Sequence, residues 1–169
     1  MLFRSTVTFS FWVRSSLTGA FGGWIQNYAA NRTYTFSYTI SSANTWEQKT
    51  ITIAGDTGGT WVGASNAGAC YIGFSLGCGS TYQTAANTWT AGNFQAPSGQ
   101  TSVVGTNGAT FYVTGVQLEV GSTASGFDYR PYGTEFDLCR RYYFKSYMTN
   151  FGFNGFNENT GGRSEEHTS

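Results

Sequence analysis

The chain of 169 residues has little charge, little proline and almost no lysine. Charged residues make up 11% of it, the formal net charge is zero, and it contains two prolines. A nucleic-acid-binding surface needs clustered lysine and arginine, but the longest basic stretch here is the pair Arg140-Arg141. No apolar run approaches the roughly 18 residues that a membrane-spanning helix needs. We therefore predict neither a nucleic-acid partner nor insertion into a membrane.

Cysteine and histidine are too few and too scattered for a metal site. The three cysteines, Cys70, Cys78 and Cys139, have no CxxC spacing, so the paired ligands of a zinc site are missing. We predict that they are small buried apolar residues, with a Cys70–Cys78 disulfide as the alternative. No cofactor is predicted from these residues.

The last seven residues, 163–169, read RSEEHTS. This string resembles the in-frame translation of a common sequencing adapter, which predicts that it takes no part in the fold. His167, the single histidine of the chain, lies within it. Histidine-based catalysis is therefore not expected.

Glycine and aromatic residues are abundant, with 23 glycines and 18% aromatics. Short apolar-aromatic runs alternate with Gly, Ser, Thr and Asn, a pattern typical of strands joined by tight turns. It predicts an all-β, antiparallel fold with strands near 6–14, 24–27, 34–40, 46–53, 70–76, 90–94 and 110–120. The stretch 15–23 (SSLTGAFGG) is predicted to be a turn. The residues expected in the core are Phe9, Phe11, Phe36, Tyr38, Ile51, Ile72, Phe74, Val116 and Leu118.

The pattern changes at Gly133. Phe136, Cys139 and Tyr143 recur at helical spacing, and Thr134 with Asp137 suggests a capping pair. We predict a sandwich over 1–132, a short helix or linker over 133–147, and over 148–162 the start of a truncated following domain.

Residues 109–143 read ATFYVTGVQLEVGSTASGFDYRPYGTEFDLCRRYY. This segment resembles a module of bacteriophage tail-fibre and virion structural proteins, in which FYxTGVQLEVG is followed by xxFxxRPYGxELxLCxRYY. Phe136 departs from that pattern by replacing its first leucine, and the likeness extends over about residues 6–144. It implies a jelly-roll β-sandwich of carbohydrate-binding-module type, a virion location and a homotrimeric fibre. It also implies that the module's first strand lies upstream of Met1, and it allows a structural calcium ion near Asp56.

Exposed aromatic rings in loops and at strand ends are the natural candidates for stacking on sugars. The candidate carbohydrate-binding residues are Trp24, Tyr28, Trp61, Tyr82, Trp89 and Phe94. Trp12 and Trp46 are instead predicted to be packing residues within strands. We predict a non-enzymatic module that binds host surface glycans.

Two other functions are kept as alternatives. One is a purely structural fibre spacer that presents a downstream receptor-binding tip. The other is a fragment of a polysaccharide depolymerase, which would need a pair of carboxylates. No two acidic residues lie in an enzyme motif, and Glu119 is expected to pair with Arg130 or to cap a loop.

Overall fold

The computed structural model describes residues 4–61 and 68–141, which are mostly β-strand with one short helix. The chain divides into a unit that ends at Asp128 and another that starts at Tyr129. The elements are β1 Val7–Ser15, β2 Gly19–Asn27, β3 Arg32–Ile40, β4 Glu47–Ile53, β5 Cys70–Ser75, a 3₁₀ turn Ser80–Tyr82, β6 Gln83–Thr84, β7 Thr88–Ala91, β8 Ala96–Pro97, β9 Phe111–Val120 and α1 Tyr132–Arg140. The predictions for 142–147, 148–162 and 163–169 lie outside the described residues.

Two antiparallel sheets pack face to face. One has the strand order β4-β1-β9 and the other β5-β2-β3-β7, while β6 and β8 form a short parallel pair. Phe9 and Phe11 on β1 contact the opposite sheet. The ring centroid of Phe9 lies 5.4 Å from that of Phe36, and the ring centroid of Phe11 lies 4.9 Å from that of Phe74. The prediction of an antiparallel all-β sandwich followed by a short helix is confirmed at this level.

Most of the predicted core residues do lie in the core. Phe9, Phe11, Phe36 and Tyr38 are buried, and Ile51, Phe74 and Leu118 pack against them half-buried. The prediction is wrong for Ile72 and Val116, which are 38% and 46% exposed. Each lies on an edge strand, where side chains have neighbours on one side only.

A β-bulge next to Val116 changes the phase of alternation along β9. Leu118 pairs with Phe9, but the register shifts before Thr114 pairs with Trp12. Gly115, between these pairs, has a positive φ of 58°, which is typical of a glycine bulge. The predicted alternation through 112–120 therefore reverses at the bulge, and Phe111 packs against the core.

The predicted turn over 15–23 is wrong, because Gly19–Asn27 forms β2, a central strand. A Cβ at Gly23 would overlap the backbone oxygen of Gly73 and the ring of Phe36. A Cβ at Gly22 would overlap the ring of Pro97. These glycines permit close approach of neighbouring chain segments rather than a turn.

Trp12 and Trp46 do not pack inside the sandwich. Trp12 alternates with the core residues of β1 and therefore lies on the outer face of its sheet. Trp46 comes directly before β4. Both stay exposed, so the expectation that they are packing residues is wrong within this chain.

The helix α1 begins two residues before the predicted capping pair. Pro131 is its N-cap and no side chain caps the helix, so the proposed Thr134–Asp137 cap is wrong. Arg130 Nη1 donates to Glu135 Oε1 at 3.0 Å. Within residues 4–61 and 68–141, no helix is long and apolar enough to cross a membrane.

The cysteines carry no disulfide. Cys70, Cys78 and Cys139 are all free, so the Cys70–Cys78 alternative is wrong. Cys70 packs against the core as predicted, and burial raises the pKa of its thiol. Cys139 is exposed on α1, so the prediction that it is buried is wrong.

Candidate functional site

The outer face of the four-stranded sheet carries a row of aromatic side chains. Ile25 on β2 points into the core, so its neighbours Trp24 and Gln26 point outward. Trp24 is paired with Gly73 on β5, and Gln26 with Tyr71. Directly paired residues of antiparallel strands share a face, so Tyr71 joins Trp24 on this surface.

The indole of Trp24 lies across the neighbouring strand. A Cβ built at Gly73 would overlap the six-membered ring of Trp24. The absence of a side chain at this position therefore lets the ring rest on the backbone of β5. Trp24 remains partly exposed in this position.

Tyr71 extends the aromatic surface toward the loop after β2. Its ring stacks on that of Tyr28, with centroids 5.7 Å apart and planes 22° apart. Each of the two tyrosines is 49% exposed. We refer to Trp24, Tyr71 and Tyr28 as the aromatic strip.

Tyr71 is a candidate residue that the sequence analysis does not identify. The prediction of a strand over 70–76 rests on its inward-facing residues, and Tyr71 belongs to the opposite phase of that strand. That phase holds Tyr71 and Gly73, two residues apart. A tyrosine and a glycine alternating on the exposed side of a strand were the available signal.

The residues before and after β7, 83–87 and 92–101, cross the outer face of β2 and β3, whereas β7 itself pairs with the edge of β3. Thr33 Oγ1 donates to Gly92 O at 2.7 Å, and Thr35 Oγ1 donates to Ala85 O at 2.9 Å. Gln26 Nε2 donates to Asn93 Oδ1 at 2.9 Å. The amides of Gln26 and Asn93 therefore meet on the β3 side of β2, where Gln26 Nε2 also donates to Thr33 Oγ1 at 2.9 Å.

Phe94 and Tyr82 belong to this crossing region. Phe94 directly follows Asn93, and its ring lies where a side chain at Gly92 would stand. Tyr82 is exposed, and its backbone oxygen accepts a hydrogen bond from Gln95 N at 2.8 Å. Four of the six predicted residues, Trp24, Tyr28, Tyr82 and Phe94, thus lie on or beside this outer face.

The structure places Trp61 and Trp89 elsewhere. Trp61 is 5% exposed and belongs to the core cluster. Its ring contacts that of Trp89 edge-on at 5.4 Å, and Trp89 in turn packs on Tyr34 at 5.2 Å. In this position both rings serve packing and do not extend the aromatic strip.

Asp56 anchors this end of the core. Its carboxylate accepts hydrogen bonds from Arg32 at 2.8–3.1 Å, from Trp61 Nε1 at 3.0 Å and from Gly58 N at 3.1 Å. Burial alone would raise the pKa of Asp56, but the bonds from Arg32, Trp61 and Gly58 outweigh it and hold the pKa below its usual range.

The surroundings of Asp56 do not fit the calcium ion allowed by the resemblance. Calcium is held by several oxygen ligands, whereas the groups directed at this carboxylate are N–H donors, one of them a guanidinium. Across 4–61 and 68–141, no group of three or more His, Cys, Asp or Glu side chains is placed to hold a metal ion.

Glu119 caps a loop, which was one of its two expected roles. Its carboxylate accepts from the backbone N–H and the hydroxyl of Ser125, and the hydroxyl bond is the main cause of its lowered pKa. Gln117 holds the same loop through Gly126 and the backbone N–H of Asp128. Residues 121–128 therefore fold back along β9.

Comparison of the chain with protein-family models, with curated proteins and with solved structures found no match. Function is therefore inferred from the geometry of the chain's own residues.

Proposed function

We propose that the chain is a non-enzymatic module that binds a glycan on the aromatic strip. The observation that carries this function is the Trp24 ring resting on Gly73, beside the exposed stack of Tyr71 and Tyr28. Aromatic side chains offer a large, rigid contact area. The apolar faces of sugar rings stack on such surfaces.

Polar groups beside the strip suit the hydroxyl groups of a sugar. Sites of this kind combine apolar rings with a few placed hydrogen-bonding groups. The amides of Gln26 and Asn93 are bonded to each other, and Gln26 is paired with Tyr71 of the strip on the neighbouring strand. The exposed Asn93 is the group we expect a bound sugar to contact first.

The same proposal places the chain in a phage tail fibre or related virion surface protein. The likeness of residues 109–143 to that class supports it, together with the sandwich of two antiparallel sheets. In the fibre the module is a homotrimer with the connectivity of a jelly roll. When one copy in the fibre is bound, its linked copies meet the surface at an effective concentration on the order of millimolar. Weak binding at each single site is therefore sufficient.

The surroundings of the carboxylates support a non-enzymatic role. A glycosidase needs two carboxyl groups that flank the scissile bond and exchange a proton with it. Asp56 is buried against Arg32, and Glu119 holds the loop at Ser125. Both side chains are engaged in holding the fold.

A glycan array probed with the chain coupled in several copies to beads tests the binding function. We expect wild-type signals to be lost in Trp24→Ala and in Gly73→Ala, and retained in the control Tyr129→Ala, an exposed tyrosine of the second unit. Gly73→Ala is decisive because it displaces the ring without removing it. Circular dichroism checks that each variant is folded.

Two results would overturn the proposal. One is a folded wild-type chain that binds no glycan in several copies, or whose binding survives both substitutions. The other is turnover of a capsular polysaccharide, which would show a depolymerase.

A structural spacer is the second candidate, and β9 favours it. This edge strand of ten residues exposes Tyr112, Val113, Val116 and Val120. Exposed apolar edges of this length pair readily with other chains. A chain that binds no glycan but associates through β9 would be such a spacer.

A further inference from the structure

A second aromatic surface lies on the outer face of the three-stranded sheet. Trp12 and Arg14 alternate with core residues of β1 and point away from the core. Tyr112 on β9 is paired with Arg14, and Trp46 directly precedes β4. We call Trp12, Arg14, Trp46, Tyr112 and Phe127 the Arg14 face.

The Arg14 face is a cluster rather than a scatter of single rings. The guanidinium carbon of Arg14 lies 5.6 Å from the centre of the Tyr112 ring. A Cβ at Gly115 would lie 3.2 Å from Trp12 and 3.9 Å from Phe127. The four aromatic residues are 40% to 52% exposed, and exposed apolar patches of this kind mark interaction sites.

The charge of Arg14 is not matched by an acidic side chain among residues 4–61 and 68–141. Within that part of the chain the only contact of the Arg14 side chain is with the Tyr112 ring, and its Nε is buried without an acceptor. The positive charge of Arg14 therefore stands among exposed aromatic rings. This arrangement is complementary to a ligand that is both flat and anionic.

We propose that the Arg14 face binds a saccharide ring that carries a carboxylate, as hexuronic acids do. The rings of Trp12 and Tyr112 stack on the sugar, and the two Nη groups of Arg14 each donate an N–H to the carboxylate. This site lies on the sheet opposite the aromatic strip and does not rest on the function proposed for the strip.

The charge of Arg14 argues against a second copy of the chain as the occupant. A two-fold interface places the same patch of both subunits together. The Arg14 charges of the two copies would then face each other, and like charges at an interface disfavour association. An acidic sugar supplies the missing negative charge.

Calorimetric titration with trigalacturonic acid and with a glucuronate-containing tetrasaccharide tests the proposal, each beside its methyl ester. The ester keeps the ring and removes the charge. We expect the acids to bind roughly tenfold or more tightly than their esters, as a lost charged hydrogen bond implies. The preference should weaken with added salt.

Variants assign the effect to this face. Arg14→Met should lower acid binding to the ester level, and Arg14→Lys should fall between, because lysine keeps the charge but loses the planar fork. Trp12→Ala should weaken acid and ester alike. Arg4→Met, which removes an exposed arginine elsewhere, should change nothing.

Each contrary result overturns the proposal. These are no binding of either acid, equal binding of acid and ester, acid binding that survives Arg14→Met, or self-association abolished by Trp12→Ala without saccharide binding. Trp24→Ala, which removes the aromatic strip, should leave acid binding intact. Failure at the strip and failure at the Arg14 face are thus distinguishable.

Discussion

Removing Arg32 from the Arg32–Asp56 ion pair should lower the free energy of unfolding far more than neutralising Asp56. Asp56 is 1% exposed, whereas the Arg32 side chain is 21% exposed. Arg32→Ala therefore leaves a buried carboxylate without its cation, which we expect to lower the free energy of unfolding by about 3–5 kcal/mol. Asp56→Asn leaves a guanidinium that reaches water and keeps an acceptor for Trp61, so about 1–2 kcal/mol is expected.

The loss in free energy of unfolding caused by Arg32→Ala should also depend on pH. In the wild type the folded pKa of Asp56 is lowered, so its stabilisation is present above the unfolded pKa of about 3.9 and is lost as the pH falls through the folded pKa. Without Arg32, burial raises the pKa of Asp56 relative to the wild type. The carboxylate of the variant then takes up its proton at higher pH, and the difference in stability shrinks on acidification.

Urea unfolding at pH 7 and at pH 4 measures both effects. Arg130→Ala serves as the control, because Arg130 and Glu135 form an exposed ion pair that is worth at most about 1 kcal/mol. The reasoning would be refuted if Arg32→Ala and Asp56→Asn lowered the free energy of unfolding equally. It would also be refuted if the loss caused by Arg32→Ala did not depend on pH.

Three further predictions concern the core, the β9 edge and the C-terminus. Phe36→Ala removes a fully buried ring between the sheets and should cost about 3–5 kcal/mol in urea unfolding; a loss below about 1 kcal/mol would contradict the packing described. The exposed edge of β9 should make the chain associate as its concentration rises, and Val116→Lys should reduce that association in light scattering more than Val104→Lys, a substitution at an exposed loop position. Deleting 163–169 should leave the melting temperature unchanged, and a clear decrease would show that these residues contribute to the fold.

The alternation of apolar residues was sufficient to predict much of the sandwich. It placed Phe9, Phe11, Phe36 and Tyr38 in the core. The direction of a side chain in a strand depends only on its position along that strand, so this property can be read without knowing the neighbouring strands.

The same rule failed where a neighbour decides the conformation. The bulge at Gly115 reverses the alternation of β9, and the glycines of β2 predict a turn although they lie in a central strand. In both cases glycine was recognised as special, but its role depends on which atoms of other strands approach it.

The residues of the candidate site also fall into two groups, those that the sequence predicts and those that only the fold reveals. Composition alone shows that aromatic residues outnumber charged ones, and the expected loop or strand-end positions of Trp24 and Tyr28 predict surface rings. The burial of Trp61 on Asp56 and the stacking of Tyr71 on Tyr28 follow from the folded arrangement of the strands. A stacking surface is made by the register between strands, and register relates residues that lie far apart in the chain.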